Sequence, residues 1–113
     1  MSHPSEIASK RTSYAPVFAA LGDPTRLSLI AKLARGVPCS ISALTEDTKL
    51  TRQAVTKHLR VLEHARLVRS RREGRESRFA LNPEPFDAAR GYLALVSRQW
   101  DDALDRLKGF VER

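Results

Sequence analysis

Cysteine is almost absent from this 113-residue chain: Cys39 stands alone. That excludes a disulfide framework within the chain and suits a reducing compartment. No stretch approaches the roughly 18 apolar residues that a membrane span needs. The opening MSHPSEIASKRTSYAP also lacks the apolar run of a secretory signal, so the expected location is cytoplasmic, with no membrane partner. There is no Gly-rich phosphate loop, no Ser/His/Asp or Cys/His spacing and no acidic pair placed for acid–base work. Asp101, Asp102 and Asp105 fall on the polar side of the last helical pattern. No enzyme, catalytic residue or cofactor is therefore expected. Aromatics amount to 6% of residues and form no stacking array on a strand, which argues against a single-stranded RNA binder. Internal repeats and low-complexity segments are missing too, and the length suits one domain spanning residues 1–113.

What the chain does have is positive charge in one place. Its formal charge is +7, and residues 51–81 carry +6 of it, with nine Lys and Arg against three acids. Such a concentration is the electrostatic footprint of a nucleic-acid binder rather than scattered solubilising charge. Within it, Arg52 to Ala65 divides cleanly at helical spacing. Ala54, Val55, His58, Leu59, Val61, Leu62 and Ala65 share one arc; Arg52, Gln53, Thr56, Lys57, Arg60, Glu63 and His64 share the other. The helix is buried on one side and presents the other. The period then changes to alternation through LVRSRR, a turn at Glu73-Gly74 and a return through SRFAL, which reads as a basic β-hairpin. A presented helix followed by such a hairpin is the outline of a winged helix-turn-helix.

The remaining elements fit that outline. Residues 1–12 read as a polar, frayed tail, residues 14–82 as the DNA-binding core and residues 84–113 as a long dimerisation helix. A first helix from about Ser13 carries Tyr14, Val17, Phe18 and Leu21, with Gly22 expected as its left-handed terminator. Asp23-Pro24 then caps and starts a second helix to about Arg35, with Leu27, Ile30, Ala31 and Ala34 inward, ended by Gly36. Ser40 caps a third, from Ile41 to about Thr48, carrying Ile41, Leu44 and Thr45. A turn at Lys49-Leu50 leads to Thr51, the cap of the presented helix, and this short connection is what a helix-turn-helix requires. After Asn82-Pro83-Glu84-Pro85 the apolar residues Phe86, Ala89, Leu93, Val96, Trp100, Ala103, Leu107 and Phe110 alternate by three and four. So long a seam calls for a second surface to cover it. Phe86, Leu93, Val96, Trp100, Leu107 and Phe110 are the expected residues of a homodimer interface, with Trp100 as its anchor.

FAALGDPTRLSLIAKL, ISALTEDTKLTRQAVTKHLRVLEHARLV and RSRREGRESRFALN together resemble the arsenical-resistance-repressor (ArsR) family of winged-helix regulators, over about Val17 to Asn82. The resemblance implies a dimer joined through its first and last helices that represses transcription by occupying operators, and in many members metal binding releases the DNA. The metal residues do not carry over. Where the family's Cys-x-Cys pair opens the third helix this chain reads Ser40-Ile41-Ser42, and serine hydroxyls do not replace thiolates as soft-metal ligands. The family's alternative site uses Asp and His along the last helix, yet no histidine occurs from Phe86 onward. His3 lies in the tail, His58 reads as a hydrogen-bonded core residue, and no metal ligand is expected. Cys39, near a helix start, is a candidate redox thiol, with a half-buried small apolar residue as the plainer reading. The family often has Gly where Lys49 and Arg66 stand, so a positive φ is expected at Lys49.

The expected fold is mostly α with a small β-hairpin: a winged helix-turn-helix with a long C-terminal dimerisation helix. The expected function is a homodimeric, sequence-specific regulator, most simply a repressor not controlled by metal, on a palindromic double-stranded operator. Its effector, if it has one, is unknown. The rival reading is a winged-helix protein-interaction module without operator binding. Thr51, Arg52, Gln53, Thr56, Lys57 and Arg60 are expected at the major groove, Gln53 and Thr56 toward base edges, Lys57 and Arg60 toward phosphates. Arg71, Arg72, Arg75 and Arg78 on the hairpin are expected at the backbone or an adjoining minor groove.

Overall fold

The computed structural model describes residues 4–112. Eight elements follow one another: α1 (Pro4–Leu21), α2 (Pro24–Leu33), β1 (Cys39–Ser40), α3 (Ile41–Thr45), α4 (Arg52–His64), β2 (Val68–Glu73), β3 (Glu76–Leu81) and α5 (Pro83–Val111). The strands form an antiparallel sheet in the order β1-β3-β2, with Cys39 opposite Phe79 and Val68 opposite Leu81. Expected and observed architecture agree: a winged helix-turn-helix with a long last helix. The two-residue β1 was not expected, because a strand that short leaves no alternation to read.

Leu29 and Leu33 of α2, Leu44 of α3, Val55, Leu59 and Leu62 of α4, and Leu67, Val68 and Phe79 of the wing form the core. Each side chain so buried contributes roughly 1.5–3 kcal/mol. The inward face of α2 is therefore turned from the one expected. Ala31 and Ala34 are exposed, as is Leu27, while Leu29 and Leu33 point in. An i, i+4 pair of leucines buries more area than the alanines on the competing arc, and area decides. On α4, Val55, Leu59 and Leu62 are buried as expected, but Ala54, His58 and Ala65 are half-buried and Val61 is 41% exposed.

The caps hold where they were read. The Asp23 carboxylate accepts from the Arg26 N–H at 3.0 Å, Ser40 Oγ from Ala43 N–H at 3.1 Å, and Thr51 Oγ1 from Ala54 N–H at 3.1 Å. Three turn assignments are corrected. Gly22 is not left-handed; a Cβ there would meet the Phe18 carbonyl oxygen at 3.3 Å, so the need is for space. The positive φ of the helix-turn-helix connection falls on Asp47, at 67°, instead of Lys49, since α3 ends at Thr45, earlier than expected. Asp tolerates that conformation better than most residues. The hairpin turns on Gly74-Arg75, one residue later than expected, with Gly74 at φ 63°.

Arg66, at φ 64°, stands where Gly usually would. Its N–H donates to Glu63 O (2.9 Å) and the Leu67 N–H donates to Leu62 O (3.0 Å), the paired bonds of a Schellman cap. Asn82, buried, donates from Nδ2 to Arg66 O at 2.9 Å. Helix α1 begins at Pro4, earlier than the expected Ser13, and residues 4–12, read as a tail, are helical with Ile7 buried. Residues 1–3, His3 among them, and residue 113 lie outside the described residues. Tyr92 of α5 meets Tyr14 and Phe18 of α1, with ring centroids 5.7 and 5.9 Å apart.

Helix α5 has 29 residues and so runs about 43 Å. Its first half completes the core; its second half projects. The molecule measures 63 × 28 × 21 Å, and its radius of gyration of 18.1 Å exceeds the roughly 13 Å of a compact chain of this length. Phe86 and Val96, expected at an interchain seam, are instead covered within the chain: Phe86 packs on the core and Val96 is buried. The other four expected seam residues, Leu93, Trp100, Leu107 and Phe110, are exposed, as are Leu104 and Val111.

Asp23 also joins a polar junction, with His58 Nδ1 3.9 Å from its carboxylate and 3.3 Å from an Arg26 guanidinium nitrogen. The Arg26 backbone N–H, then the charges of Arg26 and His58, hold the Asp23 carboxyl below its usual value, outweighing some desolvation. A depressed folded-state pKa contributes stability above the unfolded carboxylate pKa and loses it as pH falls through the folded value. Asp23→Ala is thus expected to lower the melting temperature at pH 7. The gap should narrow as pH falls below about 4, which thermal melts of both proteins from pH 7 to pH 3 would check.

Candidate nucleic-acid interface

With Val55, Leu59 and Leu62 anchored, α4 must turn Arg52, Gln53, Lys57 and Arg60 outward, and all four are exposed. Thr51 is exposed and spends its hydroxyl oxygen on the cap; half-buried Thr56 donates its hydroxyl to Arg52 O at 2.7 Å. Thr56 keeps its oxygen as an acceptor and has lost its free proton. His58 is not an apolar-core residue. It sits half-buried at the polar junction, where Arg26 also donates to the carbonyl oxygens of Ala19 and Ala20 and fastens the end of α1.

The wing's register sets Arg71 opposite Arg78 and Glu73 opposite Glu76. Like charges directly across a strand pair repel, and here the one basic pair lies two positions from the one acidic pair, so the two can answer each other. Arg78 takes up both acids, Nε lying 3.0 Å from Glu73 and a terminal nitrogen 3.8 Å from Glu76. Arg72 Nε donates to Gly74 O at 3.4 Å across the turn. Ser70 Oγ donates to the Glu63 carboxylate at 2.6 Å, tying the wing to α4.

The ten residues expected at DNA thus divide. Thr51, Thr56, Arg72 and Arg78 have partners within the chain. Among the described residues, Arg52, Gln53, Lys57, Arg60, Arg71 and Arg75 have no side-chain hydrogen-bond or ion-pair partner, and five of those six are cations. Two groups were missed. Arg69 and Arg66 add exposed charge at the wing base, and both carry a signal, since they belong to the same basic run. Ser42 and Ser77 line a cavity of about 160 Å³ together with Ser40, Ile41, Arg52, Arg75 and Glu76; nothing in their spacing marks them.

Where the family's thiolate pair would stand, Ser40 is engaged as the α3 cap. Cys39, half-buried, donates from Sγ to Val37 O at 3.3 Å. Among the described residues no group of three or more His, Cys, Asp or Glu side chains is gathered to hold a metal, and no helix is long and apolar enough to cross a membrane.

A family model described as a helix-turn-helix domain matches residues 21–71, which runs from α2 into the first strand of the wing. The HTH-type transcriptional regulator Rv2034 of Mycobacterium tuberculosis is 35% identical over 95 residues, covering 74% of this chain and 88% of that protein. A solved ArsR-like transcriptional regulator from Rhodococcus sp. RHA1 superposes with a TM-score of 0.78 at 32% identity, over 93% of this chain and 95% of that one. The chain belongs to the ArsR family of winged helix-turn-helix transcriptional regulators. A third similar structure, with a TM-score of 0.64 and 26% identity over 90% of this chain and 91% of that one, is a homodimeric winged helix-turn-helix DNA-binding domain from Mycobacterium bovis. DNA-binding regulation of transcription is accordingly the function class of this ArsR-family chain.

Proposed function

We propose that the protein is a cytoplasmic, homodimeric repressor that occupies a palindromic double-stranded operator and does not use metal to release it. The observation that carries the DNA contact is the set of unpartnered side chains on α4 and the wing. Five cations and one amide on α4 and the wing, unpaired among the described residues, are left to water or a polyanion, and phosphate neutralisation supplies much of such an interface's affinity. Gln53, one residue into the helix body, stands where recognition helices approach base edges, and its amide can bridge adenine N6 and N7.

The dimer rests on α5. Trp100 is 56% exposed and Phe110 71%, in a stripe with Leu104, Leu107 and Val111 along a projecting helix. A monomer seldom leaves so continuous an apolar surface in water. A second copy related by a two-fold axis would cover it with the same stripe, and the M. bovis domain, itself homodimeric, supports a dimer of some kind. Two copies of α4 would then face half-sites one helical turn, or a multiple, apart, and occupancy of such a site blocks transcription without further machinery.

Gln53→Ala is expected to cost about 1–3 kcal/mol on the operator and much less on scrambled duplex, because a lost bidentate contact matters only where its base is present. Binding of wild type and variant to both duplexes and to RNA, with the operator taken from selected fragments, tests this; equal loss on both duplexes would remove Gln53 from base readout. Trp100→Ala should weaken self-association by roughly 2 kcal/mol or more, as for a central interface residue. Sedimentation equilibrium finding wild type and variant both monomeric at micromolar concentration would refute the seam. Zinc or arsenite at micromolar concentration should leave operator affinity unchanged; stoichiometric metal binding coupled to release of DNA would refute metal independence.

A further inference from the structure

The small cavity between the start of α4 and the wing has a composition that the DNA-contact face alone does not explain. Arg52 comes to it from α4, Arg75 and Ser77 from the wing, and Ser40 and Ser42 from the segment that opens α3. At about 160 Å³ it is well below the roughly 300–1,000 Å³ of sites for organic ligands, which suits one compact ion. Its donors are two guanidinium groups, charged at every relevant pH and forked to match paired oxygens, and three hydroxyls. Ser40 accepts from the Ala43 N–H through its oxygen, so its proton remains to be given. One carboxylate, Glu76, also lines the space, but it is answered from beside the cavity by Arg78 at 3.8 Å. Arg52 and Arg75 are answered by nothing among the described residues. Two unpaired guanidiniums with hydroxyl donors are the partners a tetrahedral oxyanion takes.

We infer that this cavity seats a single phosphate of the DNA backbone, gripped jointly by the recognition helix and the wing, with Ser42 and Ser77 as hydroxyl donors to it. The inference rests on the DNA-binding reading of the same face. The duplex is favoured over a free anion because the two arginines come one from each DNA-facing element, so one bound phosphate would fix the wing relative to α4.

Sharing makes a prediction that two separate contacts do not. Each phosphate neutralised contributes about 0.9 to the slope of log K against log salt. Arg52→Ala and Arg75→Ala should each lower the slope by clearly less than about 2 for a symmetric dimer, because the remaining arginine still neutralises the phosphate, and the double variant should lower it by about 2, whereas independent phosphates would cost about 2 for each single variant and about 4 for the double. A neutral methylphosphonate, walked along each half-site, should find one position at which wild type and both variants bind alike. Ser77→Ala should weaken operator and scrambled duplex by a similar factor, about threefold to tenfold. Both arginines are exposed, so the variants should melt as wild type does. A slope loss of about 4 in the double variant, or two different methylphosphonate positions, overturns the shared phosphate. A second arm uses the protein alone: sodium sulfate at constant ionic strength should shift the Ser42 and Ser77 amide resonances in wild type and not in the double variant. No shift overturns the oxyanion site, even where operator binding is intact. A shift in a protein that does not prefer duplex over RNA overturns the DNA occupant and the functional reading together, and leaves a free-anion site.

Discussion

The molecule depends on the burial of Val55, Leu59 and Leu62. Spaced by four and then three, they lie on one line of α4 and are wholly enclosed, which fixes the rotation of that helix about its own axis. A helix free to roll would offer a blurred set of side chains to a partner. This one cannot roll without drawing three large aliphatic groups into water, at roughly 1.5–3 kcal/mol each. Fixing the inner face therefore fixes the outer one, and Arg52, Gln53, Lys57 and Arg60 inherit their direction from residues that touch nothing outside the core. The core is thus the sorting device that leaves cations and an amide facing out together.

The wing is held to that helix at its base and tied to itself toward its tip. At the far side of α4, Ser70 donates to Glu63 and Asn82 holds the carbonyl of Arg66. Toward the tip, Arg78 collects Glu73 and Glu76. The tip contacts are exposed ion pairs, worth about 0–1 kcal/mol each, so they shape the wing more than they stabilise it. Their effect on charge is larger. By occupying Arg78 and both acids together, they leave Arg69, Arg71 and Arg75 as the wing's cations without a side-chain partner among the described residues. A wing with five arginines thereby presents a field narrower than its sequence suggests.

How much of this could be read in advance follows from what kind of signal each feature leaves. The arc of α4 was legible because Val55, Leu59 and Leu62 fall opposite Arg52, Gln53, Lys57 and Arg60, with Val61 and His58 as its exceptions, and the caps Asp23, Ser40 and Thr51 because a short acceptor before a helix has one dominant use. The inward face of α2 was not, because alanine counts as apolar in a pattern but buries little, and Leu29 and Leu33 outweighed the alternative arc. Gly22 was taken for a left-handed residue when the crowding of the Phe18 carbonyl explains it, a distinction that composition does not carry. Period alone also merged two halves of α5. Phe86, Ala89 and Val96 serve the chain's own core, while Trp100 onward is left bare, and only the end of the domain in space separates them. The cavity residues Ser42 and Ser77 are remote in sequence and polar, so no periodicity links them.

Arg66 shows how a local violation can be sustained by distant structure. A non-glycine residue at φ 64° is strained, and two residues of this kind, Asp47 and Arg66, flank the recognition helix on either side. At Arg66 the strain is answered by three bonds: its own N–H to Glu63, the Leu67 N–H to Leu62, and Asn82 Nδ2 to its carbonyl. Asn82 lies sixteen residues further on, at the start of α5, and spends its side chain on this turn instead of capping α5. The turn between helix and wing is thereby built from α5 as well as from α4. Since α5 also carries the bare apolar stripe, the same helix that sets the turn behind the recognition helix bears the surface on which a second copy would dock. A two-fold pairing through α5, as proposed, would position the turn behind α4 in each copy through one helix apiece, with no linker between the apolar stripe and that turn.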